Sequence, residues 1–548
     1  MPPLGHPLAG PTGSPLVRPQ AARDGRNHIG TPGGVGFGVG IAPFNVADHG
    51  FAELTGTRIA GHDNFGNYQY RESIVLWRPF GWARIGHPDN PTYADYGANS
   101  VDIKPESFFP SVAEANAAGY AVHRAFIDGG LIRRGFFRDK YINSKVARGT
   151  GFVCASVKGG RPISTHADHN PIADLTACSG NAYYYAIDAA HARDGENGEA
   201  NPNSIWFVKS GYMDAWIALL TLAHAQAATS TEHCAWYDPT GVANFPKGCN
   251  NNALADADDS SVAWESDGYS NCGKAGSAGY GGGEGNLFAK STCNGQNCGE
   301  ADVNGLMWQL SLGVTSAITV ANIEGLSRAN PCVVAWTGHG LATGAVVQIG
   351  PTDIAQAGWA ALTGKLYAIT VVGPDHFSLD GVDTSGFAEE YNPDDPGQIR
   401  AGTFYAAKES TAMKDFTSGT ATDTDHWGTT GTTAMMDEIT IPWVTAYPDN
   451  GYVQRYGNGA NQVLSGDVSG PGWLLTGLGI MQSGGASASG RTLFGQDYFY
   501  QYLQNQFFLR SGGNWGLNRP AGPWAVNWGG TRANSVVYVG FRCSCYPV

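Results

Sequence analysis

Arg510-Ser-Gly-Gly-Asn-Trp-Gly516, closed near the far end of the chain by Val539-Gly-Phe-Arg-Cys543, is the most informative part of this sequence. Gly512 and Gly513 permit φ values that a side chain forbids, so the backbone can reverse there. Val536-Val-Tyr-Val539 reads as a short buried strand. Between these points lie Asn514, Trp515, Asn518, Arg519, Trp524, Asn527, Trp528, Arg532 and Asn534, with Tyr538 at the closing edge. Rigid aromatics provide contact area and Asn and Arg provide adaptable hydrogen bonds, which is the make-up of a recognition surface. The competing reading is a Trp-rich loop folded into the core, where large aromatics are usually found.

A second block lies upstream at Asp302-Val-Asn-Gly305-Leu-Met-Trp308-Gln309. Together the two blocks resemble the C-type-lectin-like fold of the formylglycine-generating enzyme family and of phage tropism determinants diversified by retroelements. Those families carry an Asp-x-x-Gly-Asn-Val-Trp-Glu block, then a Gly-Gly-x-Trp turn, a variable stretch and a Gly-Phe-Arg strand. Here Leu306 stands for Asn and Gln309 for Glu. The resemblance implies an α+β fold with few helices and many short strands. It also implies a binding loop over 514–538 and, by analogy with tropism determinants, a homo-oligomer such as a trimer. The Asn residues in that loop fit diversification, because adenine-rich codons are the ones such systems mutate.

Composition sets the outer bounds. At 548 residues two or more domains are expected. Glycine is abundant (77) and charged residues make up only 15%, while 11% aromatics exclude a disordered chain. A net charge of −14 argues against a nucleic-acid partner. No apolar run approaches the ~20 residues of a membrane span. Met1-Pro-Pro-Leu-Gly5 shows no basic stretch leading into an apolar one, so no secretory signal is expected, and lysis-released virions would give a route outside. The ten cysteines are dispersed and read mainly as buried thiols, with a bridge from Cys272 to Cys293 or Cys298 left open.

Along the chain, residues 1–50 are rich in Pro and Gly and read as an arm that attaches to other virion proteins. The first part of the lectin-like domain is expected over 51–318. It has strands at Tyr68–Tyr70, Ile74–Trp77, Phe136–Phe137 and Tyr141–Ile142. A helix runs from Ser111 to Gly129-Gly130, opened by a Ser111/Glu114 capping box, and a second spans Met213–Ala227. His224 lies on the apolar stripe of that second helix and reads as a satisfied core histidine. Residues 319–403 carry period-2 runs at Val346–Ile349 and Tyr367–Val372. With Gly338-His-Gly-Leu341, Leu362-Thr-Gly-Lys-Leu-Tyr367 and His376-Phe-Ser-Leu379, this segment resembles a small β-barrel module. That module is related to the first catalytic-cysteine half-domain of ubiquitin-activating enzymes and recurs in phage tail proteins. It reads as an insertion, with the lectin-like domain resuming over 404–548.

Enzyme chemistry is thinly represented. The formylglycine-generating reaction needs two cysteines just upstream of the terminal Gly-Phe-Arg, and none lies between Gly512 and Gly540. Cys543 and Cys545 fall beyond the motif, on one face of a strand. His166-Ala-Asp-His169 lacks metal-site spacing, and the acidic groups at Asp256–Asp259 and Asp394-Asp395 match no EF-hand. No nucleophile elbow, Walker loop or His-Glu-x-x-His helix occurs. The expectation is therefore a protein on the tail or exposed surface of a phage virion. It would have no cofactor, metal or catalysis, and would bind a host-surface protein or glycan through 514–538. The alternatives are an oxidase with a displaced site and a purely architectural virion protein.

Overall fold

The computed structural model describes residues 27–168, 170–178, 185–230, 232–234, 292–350, 353–417, 435–439, 453–455, 464–480, 497–501, 503, 507–514 and 522–547. Its architecture is mixed and strand-rich with few helices. One six-stranded sheet runs in the order Phe51–Glu53, Asn67–Tyr70, Ser73–Pro79, Gly135–Asp139, Cys543–Cys545, Trp206–Val208. A second runs Val453–Arg455, Tyr498–Gln501, Val526–Thr531, Phe507–Ser511, Trp308–Ser311, Val539–Phe541. The chain ends by contributing consecutive strands to both sheets, with Arg542 as the hinge between them.

Side-chain chemistry explains the first sheet. Val75, Trp77, Phe137, Tyr70 and Trp206 are buried, the intervening Leu76, Arg78 and Phe136 are buried as well, and Phe51 stacks on Phe137 at 4.1 Å between centroids. The helix Gly211–Ala227 is capped by Ser210, whose hydroxyl accepts from the Met213 N–H. Nearly every residue of it is buried, so it runs through the interior and not along a surface.

Three local expectations are corrected. The helix opened by Ser111 covers only Val112–Ala117; its capping contacts form, but Gly119 at φ +78° turns the chain into the strand Ala121–Val122. Val536–Tyr538 is half-buried irregular chain, and the strand there is Val539–Phe541. Most consequentially, the described part of the presumed arm packs into the core through several of its residues. Ile29, Phe37 and Val39 are fully or almost fully buried, and Asn27 bonds Glu106, the Arg134 carbonyl and the Trp77 indole. The glycines that made this segment look unstructured let backbone pass close to backbone. A Cβ at Gly66 would lie 2.6 Å from the Gly40 carbonyl oxygen. Residues 1–26 lie outside the described residues.

Residues 323–401 gather a second hydrophobic cluster around Trp359, Ile349, Phe377 and Leu379, apart from the main core. The chain enters and leaves this cluster through one antiparallel ribbon, Val314–Asn322 against Gln398–Ala407, joined over nine residue pairs.

Candidate functional site

The two sequence blocks meet in the second sheet. Trp308–Leu310 pairs in parallel with Val539–Phe541, and Gln309–Ser311 pairs antiparallel with Leu509–Ser511. Arg542 locks this junction. Its guanidinium donates to Gln309 Oε1 at 2.8 Å and to the carbonyls of Asp139, Lys140, Ala301 and Asp302. Gln309 in turn donates to the Asp302 carbonyl at 2.7 Å. An amide at position 309 presents both an acceptor and a donor here, where a carboxylate would only accept.

Beneath the junction lies a buried ionic network. Lys209 Nζ donates to Ser311 Oγ at 2.6 Å, to Ser511 Oγ at 2.9 Å and to Asp214. Arg138 joins Asp214 and Glu300. Burial alone would raise the Asp214 carboxyl, but Lys209 and Arg138 outweigh it and bring the group down to about 2. The network ties the start of the helix Gly211–Ala227 to the neighbouring strands Trp308–Ser311 and Phe507–Ser511. Lys209, Arg138 and Glu300 are buried and Asp214 keeps only a small exposed edge, so the network has the character of a fastening.

Above it sits the segment expected to recognise a partner. Gly512 and Gly513 adopt φ +86° and +67°, and a Cβ on Gly512 would press to 2.4 Å from the Val303 carbonyl oxygen. Trp515, Asn518 and Arg519 lie outside the described residues. Trp524 and Trp528, expected at the surface, are 1% and 0% exposed, so neither indole presents a contact face. Trp528 packs against Phe404, Phe499 and Phe507 at centroid distances of 5.3–5.8 Å. The reason is strand parity: over Val526–Thr531, Val526, Trp528 and Gly530 point inward, while Asn527, Gly529 and Thr531 stay half-exposed. Arg532 and Asn514 are buried too; Arg532 donates to Thr315 Oγ1 at 3.2 Å and lies over the Phe508 ring.

What remains accessible is a narrower strip. Asn527, Thr531, Asn534, Val536, Val537 and Tyr538 are half-exposed, and Ala533 and Ser535 are exposed. Thr165 backs this strip, accepting from the Val536 N–H at 2.9 Å while its carbonyl accepts from Ser535 Oγ. Tyr500, half-exposed and in register with Asn527 on the adjacent strand, extends the face; nothing in the linear sequence joined it to the 514–538 segment.

Other sequence candidates fall away from this strip. His224 is a core histidine: Nδ1 accepts from the Gly33 N–H at 3.0 Å, Nε2 faces the His233 carbonyl at 2.8 Å, and Phe37 stacks on the ring. Cys543 and Cys545 are wholly buried, and burial pushes both thiols well up, which disfavours the thiolate a metal would need. His166 lies on a polar turn, its Nδ1 accepting from the Asp168 N–H; His169 and Asp256–Asp259 are outside the described residues. Among the described residues no set of three His, Cys, Asp or Glu side chains is placed to hold a metal. No helix among them is long and apolar enough to cross a membrane. A cavity of about 330 Å³, lined by His28, Pro32, Thr92, Lys104 and Phe108 among others, opens beside the N-terminal segment and was not anticipated from sequence. No protein-family model matches the chain, and no curated protein matches it.

Proposed function

We propose that this chain is an exposed phage virion protein whose C-type-lectin-like domain, formed by residues 51–318 and 404–548, binds a host-surface protein or glycan through its C-terminal segment. The observation that carries the reading is the junction of the two sequence blocks: Trp308–Leu310 lies beside Val539–Phe541, with Arg542 bonded to Gln309 and four carbonyls. That junction supports a rigid base under the segment between Gly513 and Val539. The proposed contact residues are Asn527, Thr531, Asn534 and Tyr538 with Tyr500 beside them, while Trp524 and Trp528 stiffen the platform from below. A stiff platform loses little conformational entropy on contact, and several copies on one particle, as in a homotrimer, multiply a weak affinity by avidity.

The test replaces Asn534 and Tyr538 with Ala in intact particles. Normal particle yield with adsorption reduced tenfold or more is the expected result. Unchanged adsorption would overturn the proposed contact surface, and failed assembly would favour the architectural reading. Trp524→Ala and Trp528→Ala are unsuitable probes, since core damage would lower adsorption for an unrelated reason.

A further inference from the structure

Ten cysteines are spread along the chain, and two of them, far apart in sequence, meet in the interior. Cys154 lies on the strand Gly151–Ser156, and Cys543 opens the last strand of the chain. Their Sγ atoms approach to 3.8 Å, and both side chains are fully buried. Each is oriented by neighbours: Asn143 Nδ2 donates to Cys543 Sγ at 3.4 Å, and the Cys154 thiol donates to the Ala189 carbonyl at 3.3 Å. The Cys543 backbone is fixed as well, its N–H donating to Asp139 Oδ2 at 2.7 Å. A disulfide requires sulfurs about 2.05 Å apart, so side-chain rotation must close a gap of roughly 2 Å.

We propose that Cys154 and Cys543 form a disulfide when the protein meets an oxidising environment, pinning the final strand to Gly151–Ser156. Both S–H bonds break and one S–S bond forms. The two electrons and two protons pass to an external disulfide such as oxidised glutathione, which leaves as two thiols. The buried pair is reached during folding or local opening of the last strand. The bridge would close a loop spanning a sequence separation of 389 residues and limit the unfolded chain accordingly. It would also secure the Arg542 junction, one residue away, whether or not the C-terminal strip binds a receptor.

The experiment refolds the full chain in oxidised or reduced glutathione, blocks remaining thiols under denaturing conditions, and maps tryptic peptides without reduction. The expected product links the peptide 149–158 to the peptide 543–548, with Tm about 5 °C or more above the reduced protein. The C-terminal peptide also carries Cys545, so Cys545→Ser must retain the link, whereas Cys154→Ser and Cys543→Ser must each abolish it together with the Tm gain. Alkylation of both Cys154 and Cys543 in the oxidised wild type would overturn the proposal, and so would a bond from Cys545 to either of them.

Discussion

Arg542 shows how much of this fold rests on single side chains. Its guanidinium reaches one side-chain oxygen and four backbone carbonyls from three segments, all out of solvent. Arg542→Ala would leave those acceptors unpaired, and unfolding in urea should show a loss of about 3–5 kcal/mol. Arg542→Lys should recover little of it, because an ammonium lacks the planar fork that spans the acceptors. Trp528→Ala belongs with it and should lose about 3–5 kcal/mol by opening a cavity among Phe404, Phe499 and Phe507. Asn534→Ala, at the half-exposed strip, should stay within about 0.5 kcal/mol of wild type. A Trp528→Ala protein as stable as the parent would contradict the interior placement of that indole. The same contrast explains what the sequence could and could not reveal here. An indole has the same letter in a core and on a surface, and only the parity of Val526–Thr531 within its sheet separates Asn527 from Trp528.

Elements with local causes were legible, whereas elements held by distant partners were not. Ser111 announces a helix start because its cap bonds three residues ahead, whereas Ser210 does the same for a helix that the apolar spacing placed two residues late, at Met213. Val346–Ile349 and Leu366–Gly373 form strands where the sequence runs predicted them, although Val347, Gln348 and Ile349 are all buried. The segment following Asn27 gave no such signal, because Phe37 stacks on His224 and Ile29 is buried over Gly81, both far along the chain. His224 fastens that segment, and it makes the attachment acid-sensitive. Burial, partly offset by the bond to the His233 carbonyl, holds its imidazole down to about 4. The unfolded chain then takes up the proton first as pH falls, so this contribution is complete above about 6.5 and declines between about 6.5 and 4. Protonation also removes the Nδ1 acceptor used by the Gly33 N–H. Urea midpoints should therefore fall from pH 7 to pH 4.5. His224→Gln should be less stable than wild type at pH 7 yet lose less over that interval. His123, also held down by burial, to about 3, leaves a residual slope of the same sign. An equal pH dependence in both proteins would remove His224 from the account.

On the scale of the whole molecule, the second hydrophobic cluster raises the question of whether its residues support the body or merely hang from it. Its core residues contact one another, and the chain passes in and out through the ribbon that ends at Asn322 opposite Gln398. One fastening to the body is Leu503, whose N–H donates to Gln348 Oε1 at 3.0 Å and whose carbonyl accepts from Arg400 Nη1 at 2.7 Å. Replacing residues 323–397 by a two-residue Asn-Gly turn would keep Arg400 and the ribbon but remove Gln348 together with the pairing of Val347–Ile349 against the outer ribbon residues Ile399–Ala401. The loss at the Leu503 contact is one hydrogen bond, about 1 kcal/mol. The ribbon half nearest the body, Val314–Ala317 against Thr403–Ala406, also retains its outer partner Met436–Ile439. The shortened chain should therefore fold with a urea midpoint close to that of the parent, and particles carrying it should adsorb normally if the C-terminal strip alone makes contact. Intact folding with lost adsorption would place the recognition surface on the excised cluster, whereas failure to fold would show the cluster to be a structural part of the body.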